Sequence, residues 1–291
     1  MTERRKATTG SEPTRRRRST RDMMSVATSE RRPVEERVAA LAEAPLAVGE
    51  SEENLQALLR VLRNPNEPSP VRLATLQTFQ AAAFSSAYFP SWRGDYIAAL
   101  RDLVDDPDPE LRQRVLGILA REKDGFVQQK LLEGLRDPSK ALVPPEKALQ
   151  LMSYDVHAEA YGVARQIVDQ PPNPQARQEA LRLLAADASS APVFERILRD
   201  KAEPTELRQM AAAALQATNP RQLREYAREI VLDDSEDEEL QATSLAALTQ
   251  FGESATVADD QALRKRVDDL SKGALPALNQ SAQRFLDKYG R

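Results

Sequence analysis

The sequence predicts an all-α chain of about seven helix pairs stacked side by side. Three observations carry that prediction. The 291 residues hold only 10 Gly, 19 Pro and 5% aromatics against 30% charged residues, which suits many helices joined by short, proline-bearing turns. Apolar residues recur at helical spacing: Leu111, Val115, Ile118 and Leu119 fall at i, i+4, i+7 and i+8, one stripe on one helix face. Finally, the same residue types return every 30 to 40 residues, the mark of a repeat architecture.

Residues 1–32 read as a disordered basic tail and residues 33–291 as the stacked helices. The tail is rich in Ser, Thr and Arg, with too little apolar surface to offset its ordering entropy. It carries ten Lys/Arg against four Asp/Glu, a net of +6, which leaves −10 on the rest of a chain whose total is −4. The run Arg15, Arg16, Arg17 and Arg18 is its most basic part. Met23 and Met24 each offer an alternative start that would remove that run.

From residue 33, helix, turn and helix alternate. Aligned on Arg72, Arg112, Lys147, Arg177, Arg208 and Gln241, the second helices are spaced by 40, 35, 30, 31 and 33 residues. Four positions later stand Leu76, Leu116, Leu151, Leu181, Ala212 and Leu245. Seven positions later stand Phe79, Leu119, Tyr154, Leu184, Leu215 and Leu248. First helices repeat the logic, as with Tyr96, Leu100, Leu103 and Val104. A single pair cannot bury both stripes, so neighbouring pairs must stack. The closing segment "ALPALNQSAQRFLDKYG" departs from these columns and reads as an end cap.

The stretch "DDPDPELRQRVLGILA", from Asp105 to Ala120, opens with four carboxylates among two prolines. A calcium loop would need spaced acids around a glycine, which is absent here. The residues fit a helix start instead, with Asp108 as N-cap, Pro109 in the first turn and Glu110 favoured by the helix dipole.

This stretch resembles the second helix of HEAT repeats. The likeness lies in the Asp106-Pro107 turn, the Leu111-Arg112 pair and the helix Leu116-Gly117-Ile118-Leu119. It recurs in "NPNEPSPVRLATLQTF", "QPPNPQARQEALRLLA" and "KAEPTELRQMAAAAL", and weakens where Lys147 and Gln241 replace arginine. The short period is similar to the bacterial HEAT-like type, which also occurs in phycobilin lyases. Tetratricopeptide repeats share the period, but their Trp, Leu-Gly and Tyr positions are not seen. The resemblance implies a right-handed α-α superhelix. It also implies that Arg72, Arg112, Arg177 and Arg208 form a ladder with the turn acids, stitching one pair to the next. The rival for that column is a basic stripe for phosphate or acidic peptides.

The segment "FSSAYFPSWRGDY", residues 84–96, holds five of the chain's 14 aromatics, including the only Trp, and falls in the longest inter-repeat spacing. Tyr88, Phe89, Trp92 and Arg93 are therefore candidates for holding a partner. The competing reading is that the aromatics plug a junction between unequal repeats. His157 is the single histidine and the chain has no cysteine, so neither a zinc set nor a thiol nucleophile can be assembled. No phosphate loop, dinucleotide turn or nucleophile elbow is present.

These features predict a non-catalytic scaffold that binds a protein partner, with no cofactor and no metal. The arginine tail leaves nucleic acid or an anionic surface as an alternative partner. The family likeness leaves a lyase or accessory role of the phycobilin-lyase type. A glycosylase of related fold would need a basic groove, against which the acidic body argues. No apolar run approaches a membrane span, and the absence of cysteine fits the cytoplasm.

Overall fold

The computed structural model describes residues 19–85, 89–156, 158–252, 257, 259–273 and 275–290. Among them there is no strand, and sixteen α-helices follow one another. They are α1 Thr20–Thr28, α2 Val34–Ala42, α3 Glu52–Arg63, α4 Ser69–Ser85, α5 Phe89–Arg101, α6 Pro109–Arg121, α7 Gly125–Arg136 and α8 Pro145–Met152. The second half holds α9 Ala158–Asp169, α10 Pro174–Leu184, α11 Ala191–Arg199, α12 Thr205–Thr218, α13 Pro220–Leu232, α14 Glu238–Phe251, α15 Gln261–Ser271 and α16 Pro276–Tyr289. Helices pack in chain-order pairs, α1 with α2, α3 with α4, and each pair from α7 with α8 to α15 with α16, in the solenoid-like manner expected.

The starts of these helices are written in the sequence. Ser19, Ser51, Asp124, Asn173, Asn219, Asp237 and Asp260 all accept a backbone N–H of the first turn. Asp108 does the same before α6, accepting from the N–H groups of Glu110 and Leu111 at 2.9 and 3.1 Å. The carboxylate cluster at residues 105–110 is thus a turn and a cap.

The chain divides into two compact units, with the boundary between Leu119 and Ala120. In the first, α2 packs on α1 and α4, and α3 packs on α1 and α5. Leu41, Leu58, Leu62, Leu76 and Phe79 are fully buried there. In the second, α8, α10, α12 and α14 stack as successive second helices, and α16 lies against α14 and α15. Leu245, Leu248, Val267, Phe285 and Tyr289 form the core at that end.

Three expectations are corrected. Residues 20–28 are helical rather than part of a disordered tail. Ser19 caps α1, Met24 and Ala27 are buried, and the Ala27 carbonyl accepts a hydrogen bond from Arg37. A short helix with little apolar surface holds because its neighbours supply the contacts. Stacking therefore begins one helix earlier than residue 33, and the sixteen described helices make eight pairs where about seven were expected. Lastly, the repeat register slips at α8. The residue four after the N-cap Pro144 is Ala148, whose N–H bonds the Pro144 carbonyl, so Lys147 is one position out of column. Tyr154, placed in a core column by that alignment, lies beyond the helix and is 47% exposed.

Candidate functional site: a ladder of arginines and the gap in it

Four arginines at the same helix position make the same set of bonds. Arg37, Arg72, Arg177 and Arg208 each stand four residues after the cap of a second helix. Each Nε donates to a carbonyl in the last turn of the preceding helix. The acceptors are Ala27 at 3.0 Å, Leu62 at 3.0 Å, Val168 at 3.1 Å and Leu198 at 2.8 Å. Each guanidinium then reaches an acid in the turn before the following second helix. Arg37 holds Glu67 at 2.8 and 2.7 Å, and Arg72 holds Asp106, with Nη1 to Oδ1 at 3.1 Å. Arg177 holds Glu203, with Nη1 to Oε2 at 2.7 Å, and Arg208 holds Glu236 at 2.6 and 2.7 Å. A planar fork suits this two-point grip where a lysine would not.

The electrostatics follow the geometry. The Arg208 hydrogen bonds hold the Glu236 carboxyl below the usual carboxylate range, against the burial that would raise it. Glu203 likewise fixes the proton more firmly on Arg177. The Arg37, Arg72 and Arg208 pairs have side chains no more than 5% exposed, while the Arg177 pair is looser. Buried groups of this kind fix the register between helix pairs more surely than they add stability.

The expected column was Arg72, Arg112, Arg177 and Arg208. Three of these form rungs, and Arg37 is a rung that the sequence reading missed. Its signal was present: Pro33 precedes Arg37 by four residues, as Pro68 precedes Arg72 and Pro204 precedes Arg208. At Arg112 the guanidinium donates back to the carbonyl of Asp106 in its own turn, at 2.6 Å. At Gln241 the substitution is answered locally, because Arg266 of α15 donates to the Val231 carbonyl at 3.1 Å and pairs with Asp234.

The pair α7–α8 has no rung. Its three equivalent positions are Leu135, one residue before the end of α7, Ala148, four after the α8 cap, and Pro172, immediately before the α10 cap Asn173. All three line one groove of about 400 Å³. Its floor is buried and apolar, built from Leu131, Ala148, Val163 and Ile167. Leu142, Val143 and Pro145 form one wall as the connection between α7 and α8 crosses over. That crossing is tight: a Cβ on Gly134 would sit 2.9 Å from the Ala141 Cα, so only glycine admits the strand of chain there. The mouth carries Gln166 on α9, Gln170 just past its end, and a single charged lining residue, Arg136. In place of the missing ion pair, the Asn173 amide donates to Glu146 at 3.0 Å beside the groove.

Two aromatics of the junction form a core plug, while Phe84 at its start is exposed. Trp92 and Tyr96 are 4% and 3% exposed. Their rings pack on Phe79 of α4 at centroid distances of 5.9 and 5.1 Å. Trp92 is therefore withdrawn as a partner anchor, because α5 turns its indole inward to fill the longest inter-repeat spacing. Arg93, the next residue, is exposed. Tyr88, the Phe89 side chain, His157 and the run Arg15–Arg18 lie outside the described residues.

Among the described residues no cluster of three or more His, Asp or Glu is placed to hold a metal ion. Among them also, no helix is long and apolar enough to cross a membrane. Compared with models of known protein families and with curated proteins, the chain matches none.

Proposed function

We propose that this chain is a non-catalytic helical-repeat scaffold, of the HEAT-like kind its turns resemble, which binds a protein partner. The observation that carries the reading is the apolar groove at Leu135, Ala148 and Pro172. Everywhere else along the arginine column a polar group fills or answers the position. At this pair both members of the ion pair have given way to apolar residues, and the space is left open. Stacked helices offer long surfaces and little enclosed volume, which favours a macromolecular partner over a small substrate. A cysteine-free chain working in the cytoplasm is consistent with this role.

Affinity capture from the native host tests the reading, with Ala148→Arg as the control that fills the groove. A specific protein retained by the native chain and lost by the variant is the expected result. Recovery of chaperones alone from the native chain would contradict it.

A further inference from the structure

We infer that the groove between α7, α8 and α9 takes an extended peptide segment carrying one large apolar side chain and, close beside it, a carboxylate. The inference rests on the scaffold reading and names the chemistry of the partner.

Each part of the segment is assigned by a feature of the site. A rung elsewhere is filled by an arginine stem that ends in a charged fork. Here Ala148 removes the stem and Pro172 removes the acid, so neither the length nor the charge of an arginine is matched by the walls. The volume of about 400 Å³ and the floor of Leu131, Val163 and Ile167 ask for a branched or aromatic apolar group. A guest lysine or arginine would meet no carboxylate among the residues that line the groove, and its desolvation would go uncompensated.

The mouth supplies the polar contacts. Gln166 on α9 and Gln170 just past its end are both exposed, and their amides can both donate to and accept from the backbone of an extended strand. Arg136 is the only charge on the lining, and it is weakly engaged. Its partner Glu159 lies 3.9 Å away, and the two side chains are 52% and 73% exposed. A carboxylate brought to the mouth by an anchored apolar side chain would be held intramolecularly beside Arg136. It would outcompete so loose a pair. The carboxylate sets orientation, and the apolar anchor supplies most of the affinity.

The test is selection of a phage-displayed random dodecapeptide library on the full chain, followed by titration of the selected peptides in fluorescein-labelled form. Enriched sequences should share a Leu, Ile, Met, Phe or Trp with Asp or Glu within three positions. Ala148→Arg should weaken them by about tenfold or more, because its side chain enters the slot. Arg136→Glu should weaken them by roughly three- to tenfold and leave peptides with the carboxylate replaced by amide unchanged. Circular dichroism melts of both variants establish that they are folded. Enrichment of basic peptides, affinities indifferent to Ala148→Arg, or binding of dodecanoate with no peptide selected would each overturn the inference. Any of these together with a captured partner leaves the scaffold reading standing, whereas capture of chaperones alone removes the scaffold reading itself.

Discussion

The rung at Arg208 and the gap at Ala148 occupy equivalent places in their helix pairs. At Arg208 three groups are tied together: the Leu198 carbonyl of α11, the guanidinium on α12 and Glu236 in the turn before α14. At Ala148 the corresponding three residues are all present and adjacent, yet none is charged and a groove separates them. The difference teaches how a rung can be absent without an orphan: at this helix pair the arginine and its acid are both missing. Losing the arginine alone would leave a buried carboxylate, and losing the acid alone would leave a buried guanidinium. Either orphan is far more destabilising than the absence of both.

The largest expected effect breaks the occupied side of the comparison. Arg208→Ala should destabilise the protein by about 3–5 kcal/mol, since Glu236 is left buried without its partner. Urea denaturation of the variant against the native chain measures it. A loss under about 1 kcal/mol would mean that the rung is a solvated surface pair. Trp92→Ala should be of similar size, about 3–5 kcal/mol, because it opens a cavity against Phe79 and Tyr96. A thermal midpoint that did not move would return Trp92 to the surface.

Acid should separate the two regions next. Glu236 has a folded pKa below its unfolded value, so the native state binds fewer protons than the unfolded state. The stability it contributes is complete above the unfolded value of about 4.3 and is lost as pH falls through the folded one. Urea midpoints measured over that range should fall, and should fall less in Glu236→Gln. Equal slopes in the two proteins would show that the Arg208 pair does not control the acid response. The smallest effect belongs to the gap: Ala148→Arg should cost about 1–2 kcal/mol, because the groove admits the stem but no lining carboxylate answers the guanidinium. A loss of several kcal/mol would show the groove to be tightly packed.

Much of this fold was legible from the chain. The periodic apolar columns found Leu76, Leu116, Leu181 and Leu245, all now buried, because a stripe that must be hidden constrains residue type strongly. The Asp108 cap was readable for the same reason, since few side chains can satisfy a first-turn N–H. What failed was register and context. Lys147 looked like an arginine substitute, but Pro145 in the first turn of α8 shifts the column to Ala148. Helix α1 was hidden because its contacts come from other helices and not from its own composition. Trp92 was ambiguous because an indole suits a binding anchor and a core plug equally well, and only the packing direction of α5 decides. The groove had no sequence motif, since it is made by side chains that are missing.

The central claim is that Leu135, Ala148 and Pro172 are the three places of one absent rung. A double-mutant cycle of Ala148→Arg and Pro172→Glu, read by urea denaturation, tests it most directly. If the slot is an empty rung, the pair should be more stable than the sum of the single changes by about 1–3 kcal/mol, as the new arginine finds both its acid and the Leu135 carbonyl. Additive effects within about 0.5 kcal/mol would contradict the account, for the two positions would then not face each other across the groove.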